Sequence, residues 1–228
     1  MRYAIYFAPP AGSPLWQAGA HWLGRDAATG AYVPQPFIAG VAPARFAALT
    51  DAPRRYGFHA TLKPPFMLAA GAGEADLECA MARVAAGLAP VPLAGLAVGT
   101  LDGFIALRPV RDAPALQALA AVCVTELDHL RAPPDSAERA RRDGGRLSAR
   151  ERALFECWGY PWVMELWRFH MTLTDRVEGD ERTLLLQAAR AHFSAALAAP
   201  WRVEAIDLFV EDAPGAPFRR TARFELPV

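Results

Sequence analysis

The pentapeptide Phe-His-x-Thr-Leu occurs twice, at Phe58–Leu62 and at Phe169–Leu173, and no other feature of the chain constrains its fold as strongly. The chain has five histidines, so two in one repeated pentapeptide point to a duplication rather than to independent placement. The copies lie in the stretches RRYGFHATLKPPF, Arg54–Phe66, and WRFHMTLTD, Trp167–Asp175. Each alternates as a half-buried strand does. Phe58, Ala60 and Leu62 face one way, and His59, Thr61 and Lys63 the other. In the second copy Phe169, Met171 and Leu173 form the apolar side, leaving Arg168, His170, Thr172 and Thr174 opposite. Each strand thus offers an imidazole and, roughly 6.5 to 7 Å along the same face, a hydroxyl.

The surroundings of the two motifs match as well. After His59 the pattern predicts a strand, a helix over about 73–88, a strand at 93–98, a turn at Asp102-Gly103 and a strand at 104–108. After His170 it predicts a strand, a helix over about 180–197, a strand at 201–211, a turn through Pro214-Gly215 and a strand at 218–226. His59 to Pro90 is 31 positions and His170 to Pro200 is 30. The expectation is one bilobal domain over 1–228, with pseudo-repeats at about 55–110 and 166–228. Ahead of them, Arg2–Phe7 reads as a strand stopped by Pro9 and Pro10, and Ser13-Pro14 as the start of a helix to Leu23. A short helix is expected around Pro43–Leu49. Between the repeats lie a helix over about 113–129, an arginine-rich insert over about 131–152, and a short helix over 148–158. Seven arginines lie between Arg131 and Arg152; they form either a solvated surface or a lid that meets an anionic substrate.

Hydrophobic content of 53% is ample for a core, and a formal net charge of zero gives no reason to expect general affinity for nucleic acid or membrane. Lys63 is the only lysine. Cys79, Cys123 and Cys157 are odd in number and widely separated, which predicts free thiols in a reducing compartment. The apolar run in MRYAIYFAPP is too short for a signal peptide, and Pro90 and Pro92 break the longest uncharged run, so a cytoplasmic protein is expected; a monomer is a separate expectation.

Two imidazoles facing across a cleft can divide acid and base duties, one accepting a proton from water while the other donates to a leaving oxygen. Threonine hydroxyls beside them can hold the non-bridging oxygens of a phosphate as charge builds. The scheme needs no metal or other cofactor. A metal set is disfavoured by the lack of a His-x-x-x-His pattern, a Cys pair or a carboxylate inside either motif. Neither a nucleophile elbow nor a phosphate-cradling glycine loop is present.

HATL and HMTL in duplicated lobes resemble the signature of the two-histidine (2H) phosphoesterase superfamily, which includes the LigT-like RNA 2′,3′-cyclic phosphodiesterases. RYAIYFAPP, WLGRD, RRYGFHATLKPPF, GFIALRP, WGYPWV and RFHMTLTDR resemble a narrower branch encoded beside bacterial phosphonate-utilisation genes, and this likeness covers nearly the whole chain. The resemblance implies an α+β fold in which two antiparallel sheets line a central cleft with helices outside. It also implies metal-independent chemistry on cyclic phosphodiesters, with His59 and His170 as acid/base pair and Thr61 and Thr172 as phosphate ligands. The implied substrate is a small phosphate ester, a ribosyl cyclic phosphate in the branch; the alternatives are an RNA-end phosphodiesterase or ligase and a non-catalytic binding module.

Other candidates are weaker. Lys63, on the face of His59 and Thr61, is either a phosphate partner or an exposed strand end. Arg55 and Arg168 share faces with their histidines, and Thr174 shares that of His170. Tyr3, Tyr56 and Arg25 either line the cleft or belong to the core. His21, His129 and His192 lack a matching threonine and read as boundary histidines.

Overall fold

A computed structural model describes residues 1–143 and 147–227. Strand β1 (Arg2–Phe7) opens the chain. Helix α1 (Pro14–Leu23) follows, with Ser13 Oγ accepting the Trp16 N–H at 3.3 Å and Gly24 closing the far end at φ +85°. Helices α2 (Pro43–Leu49) and α3 (Asp51–Tyr56) lead to β2 (Ala60–Phe66), which carries the first motif. Then come α4 (Glu74–Ala86), β3 (Val91–Leu93), β4 (Leu96–Leu101) and β5 (Phe104–Pro109). The middle of the chain holds α5 (Pro114–Glu126), α6 (Ser136–Asp143) and α7 (Ala149–Trp158). After β6 (Met171–Arg176), with the second motif, come α8 (Gly179–Phe193), β7 (Trp201–Val203), β8 (Ala205–Glu211) and β9 (Arg219–Glu225).

The architecture is α+β: a seven-stranded antiparallel sheet in the order β4-β5-β6-β2-β1-β8-β9, and a two-stranded one joining β3 to β7. The topology is crossed. The motif strand of the second series, β6, pairs with β5 of the first, whereas β8-β9 of the second reaches β2 through β1. The two halves of the large sheet meet between the motif strands at one residue pair, Ala60 and Met171. Helix α4 packs on β8 and β9, and α8 on β4, so the helices cross over too. The apolar residues of both motifs enter one core, where Leu62, Leu107, Leu173 and Leu208 are fully buried. Each such side chain contributes about 2 kcal/mol relative to exposure.

Several expected boundaries move. The strand expected at 93–98 is two strands, β3 and β4, parted at Gly95, whose φ of +148° breaks the extended run. The helix expected to 197 ends at Phe193 and that expected to 129 at Glu126. Residues 51–56, expected to lead straight into the strand, form α3. Within the insert, α6 occupies 136–143. The side chains of Arg141 and Arg142, and Gly144, Gly145 and Arg146 entirely, lie outside the described residues.

Candidate active site

One turn of backbone sets each histidine. His59 Nδ1 lies 2.8 Å from the Gly57 carbonyl, and His170 Nδ1 lies 2.7 Å from the Arg168 carbonyl, so each ring bonds to the residue two places before it. A carbonyl can only accept, so both Nδ1 atoms carry hydrogen and each Nε2 is the atom left for chemistry. Both histidines, with Thr61 and Thr172, line one cleft of about 490 Å³. The two motifs therefore present equivalent edges to a shared space.

Gly57 makes the first of these turns feasible. Its φ is +81°, and a Cβ there would sit 2.5 Å from the Cβ of Ala27. The His59 ring stacks on Tyr6, with centroids 3.7 Å apart and planes at 24°. Tyr6 comes from β1, where it pairs with Thr61. His59 Nε2 lies 3.2 Å from Thr61 Oγ1. The Trp167 indole N–H donates to the Thr61 carbonyl at 2.8 Å, so the second motif's flank holds the first motif's strand.

Burial lowers the pKa of His59 to about 4, against the raising effect of the Gly57 carbonyl, and the nearby His170 lowers it further. Burial also lowers that of His170; its Arg168 carbonyl bond raises it, Arg168 and Arg108 lower it, and Asp102 raises it. Near neutral pH both rings are neutral, each with an Nε2 lone pair. An anion in the cleft raises both pKa values and favours a proton on one of them.

The other predicted residues divide. Tyr56 and Arg168 line the cleft, Arg168 paired with Asp102. Thr174 also lines the cleft but is fully buried, its Oγ1 accepting the Ile105 N–H at 3.1 Å. Lys63 is turned away. Tyr6 pairs with Thr61 and Ile5 with Lys63, so β2 has an extra residue at Leu62, and this bulge reverses the alternation. Lys63 Nζ is buried, 3.0 Å from Asp128 Oδ1 and 3.1 Å from the Val124 carbonyl. Arg55 lies in the last turn of helix α3 instead of sharing a strand face; its guanidinium pairs with the buried Glu211. Arg25 is buried and donates to the carbonyls of Arg54, Arg55 and Phe218. Tyr3 reaches Glu74 and Met1 through its hydroxyl. Lys63, Arg55, Arg25 and Tyr3 thus hold the structure and do not border the cleft.

Of the insert's arginines, Arg131 pairs with Asp128, Arg150 with Glu165, and Arg139 donates to the Pro134 carbonyl. None of the described ones lines the cleft. Sequence reasoning missed Tyr6. Its place opposite the apolar run Tyr3, Ile5, Phe7 was readable, but its pairing with β2 was not. It also missed the aromatic wall of Phe104, Tyr160, Trp162 and Trp167, which distant segments bring together.

Two curated relatives match almost all of this chain, and both are called ribose 1,5-bisphosphate phosphokinase PhnN. That of Janthinobacterium sp. (strain Marseille) is 42% identical over 221 residues, and that of Laribacter hongkongensis (strain HLHK9) 44% identical over 219 residues. The matches take in 95% and 96% of this chain but 49% and 50% of the relatives, so the chain spans about half their length. Among solved structures, E. coli LigT complexed with 3′-AMP aligns at 14% identity with a TM-score of 0.45, over 100% of this chain and 98% of that one. TT0787 of Thermus thermophilus aligns at 16% identity with a TM-score of 0.46, over 99% and 98%. A family model matches residues 61–219, most of the chain, and the chain belongs to the family it describes, "Protein of unknown function (DUF1045)".

Proposed function

We propose that this protein is a metal-independent phosphodiesterase that opens a cyclic phosphate of a small sugar or nucleotide. The observation that carries the reading is the equivalence of the two imidazoles, each held through Nδ1 by the carbonyl two residues upstream and each bordering the same cleft. In the reaction, the neutral histidine takes a proton from water through Nε2 as the water oxygen bonds to phosphorus. One ring P–O bond breaks, and the other histidine, charged by the bound anion, gives its Nε2 proton to the leaving oxygen. Thr61 and Thr172 donate to the non-bridging oxygens. His59 is the more depressed of the two and suits the acceptor role, with His170 as donor. Metal independence is supported by the donor set: among the described residues no three His, Cys, Asp or Glu side chains cluster as ligands would.

A ribosyl phosphate is the favoured substrate, because the relatives that contain a region like this chain carry a name built on ribose 1,5-bisphosphate. A small substrate and no general nucleic-acid partner fit the zero net charge. An RNA-end substrate is the second reading, favoured by the aromatic wall of Tyr56, Tyr160 and Trp162, on which a base can stack. The test is turnover of a panel of cyclic phosphates by purified protein with EDTA present. We expect activity to persist in the chelator and to fall by about 10²–10⁴-fold in His59→Ala and in His170→Ala. Binding without turnover in the native protein would make it a recognition module instead.

A further inference from the structure

A second cavity of about 320 Å³ lies between the end of β5 and the start of α5, and shares Trp167 and Arg168 with the cleft. Arg108, Arg111 and Arg168 border it, with Asp112 its one carboxylate among the described residues. The arginines are not equally committed. Arg168 is held by Asp102. Arg108 donates through Nη1 to the Thr100 carbonyl at 3.2 Å, but its Nε is closed off from solvent with no acceptor among the described residues. Arg111 is exposed and has no hydrogen bond or ion pair among the described residues. Helix α5 begins beside them at Pro114 with no side-chain cap, adding partial positive charge.

Strand register ties this cavity to the reacting groups. Strands β5 and β6 pair Ala106 with Thr172 and Leu107 with Met171, so one further step sets Arg108 across from His170 on the face that carries Thr172. The effect of Arg108 on the His170 pKa agrees with that closeness. A buried guanidinium N–H without an acceptor is costly unless a ligand supplies one. The fork of an arginine matches a phosphoryl group in shape and charge.

We propose that this cavity binds a second anion on the same substrate, a phosphomonoester carried several bonds from the cyclic phosphate and held by Arg108 and Arg111. This rests on the acid/base reading of His59 and His170, and narrows the substrate to a cyclic phosphate that is also phosphorylated elsewhere. The ring-opened product would keep both of its phosphates until a separate phosphotransfer or phosphatase step acts on it.

The first experiment compares kcat/KM for two substrates that differ only in a terminal phosphate, a ribose 1,2-cyclic phosphate with and without a 5-phosphate. The native protein should prefer the phosphorylated one by about 10- to 100-fold, as charged hydrogen bonds of this kind allow. That ratio should fall toward one in Arg111→Gln and further in the Arg108→Gln/Arg111→Gln double variant. Arg111 is exposed, so its single variant keeps the test valid if the double variant folds poorly. The second experiment measures ribose 5-phosphate and inorganic phosphate binding by calorimetry and needs no turnover. Weaker ribose 5-phosphate binding in the arginine variants, unchanged in His59→Ala, supports the site even if neither cyclic phosphate is hydrolysed. Turnover with a ratio near one in the native protein, or ribose 5-phosphate binding equal in native and variant proteins, overturns this proposal and leaves the acid/base reading standing. A ratio near one with tight inorganic phosphate binding overturns it in favour of a free anion.

Discussion

Two imidazoles anchored alike differ in what surrounds them. His59 lies under Tyr6, while His170 lies nearer solvent among Arg168, Arg108 and Asp102. The depression of His59 from 6.5 to about 4 has a consequence for stability. Its folded pKa lies below its unfolded one, so the unfolded chain takes up the proton first as pH falls. The neutral ring's contribution is complete above about 6.5 and is lost as pH drops toward 4, where the slope flattens. The full window corresponds to at most about 3 kcal/mol, an upper bound because the ring borders an open cleft. Buried Asp207, raised to about 6, acts in the opposite sense over the same window, so the test is the difference between proteins: from pH 7 to 4 the urea midpoint of the native protein should drop relative to that of His59→Phe, and parallel curves for the two would show that the ring does not contribute. Tyr6 sets the ring's plane by stacking. Tyr6→Phe should keep most activity, whereas Tyr6→Ala should lower kcat by about tenfold or more and raise the His59 pKa measured by NMR, because the ring loses its packing and water enters.

At the scale of elements, the motif strands show what local pattern can and cannot specify. Alternation assigned His59, Thr61, His170 and Thr172 to the polar faces, and all four border the cleft, because period two is a property of the extended chain itself. The same rule failed at Lys63, since the bulge at Leu62 arises from pairing with β1, more than fifty residues away. It failed at Arg55 because helix α3 ends only at Tyr56, a boundary that Gly57 fixes through its positive φ. Arg25 could not be placed at all: its partners are carbonyls from residues 54, 55 and 218, which only the tertiary fold collects. These positions carry tests. Lys63→Met removes a buried charge from Asp128, which keeps Arg131, so we expect a loss of about 1–3 kcal/mol in chemical denaturation with kcat within a few-fold of native. A kcat loss as large as that of His59→Ala would return Lys63 to the substrate. Gly57→Ala strains the turn and drives a methyl group into Ala27. It should destabilise by about 1–3 kcal/mol and, unlike Lys63→Met, should also cut kcat by releasing the carbonyl that holds His59.

Taken as a whole, the molecule is built so that neither half can close its core alone. The first series gives its hairpin to the second's motif strand and the second gives its hairpin to the first's through β1, while each gives its helix to the other's outer strands and one short strand to the β3–β7 pair. Backbone pairing between the motif strands is slight, one residue pair, so the join depends on side chains: Leu62 and Leu173 in a common core, the Trp167 N–H on the Thr61 carbonyl, and the Trp22 N–H on the Leu173 carbonyl at 2.9 Å. A cleft whose two histidines come from different strands keeps its geometry only while that join holds. Unfolding should therefore be a single event, with far-ultraviolet circular dichroism, tryptophan fluorescence and loss of activity sharing one midpoint. Val203→Ala, fully buried in β7 opposite Val91, removes apolar volume remote from the cleft. It should cost about 1–2 kcal/mol and move the whole transition down by roughly 2–8 °C without splitting it. Activity lost well before the bulk secondary structure, or a variant transition in two steps, would mean that the halves fold as separate units and that the paired imidazoles meet only through a loose contact.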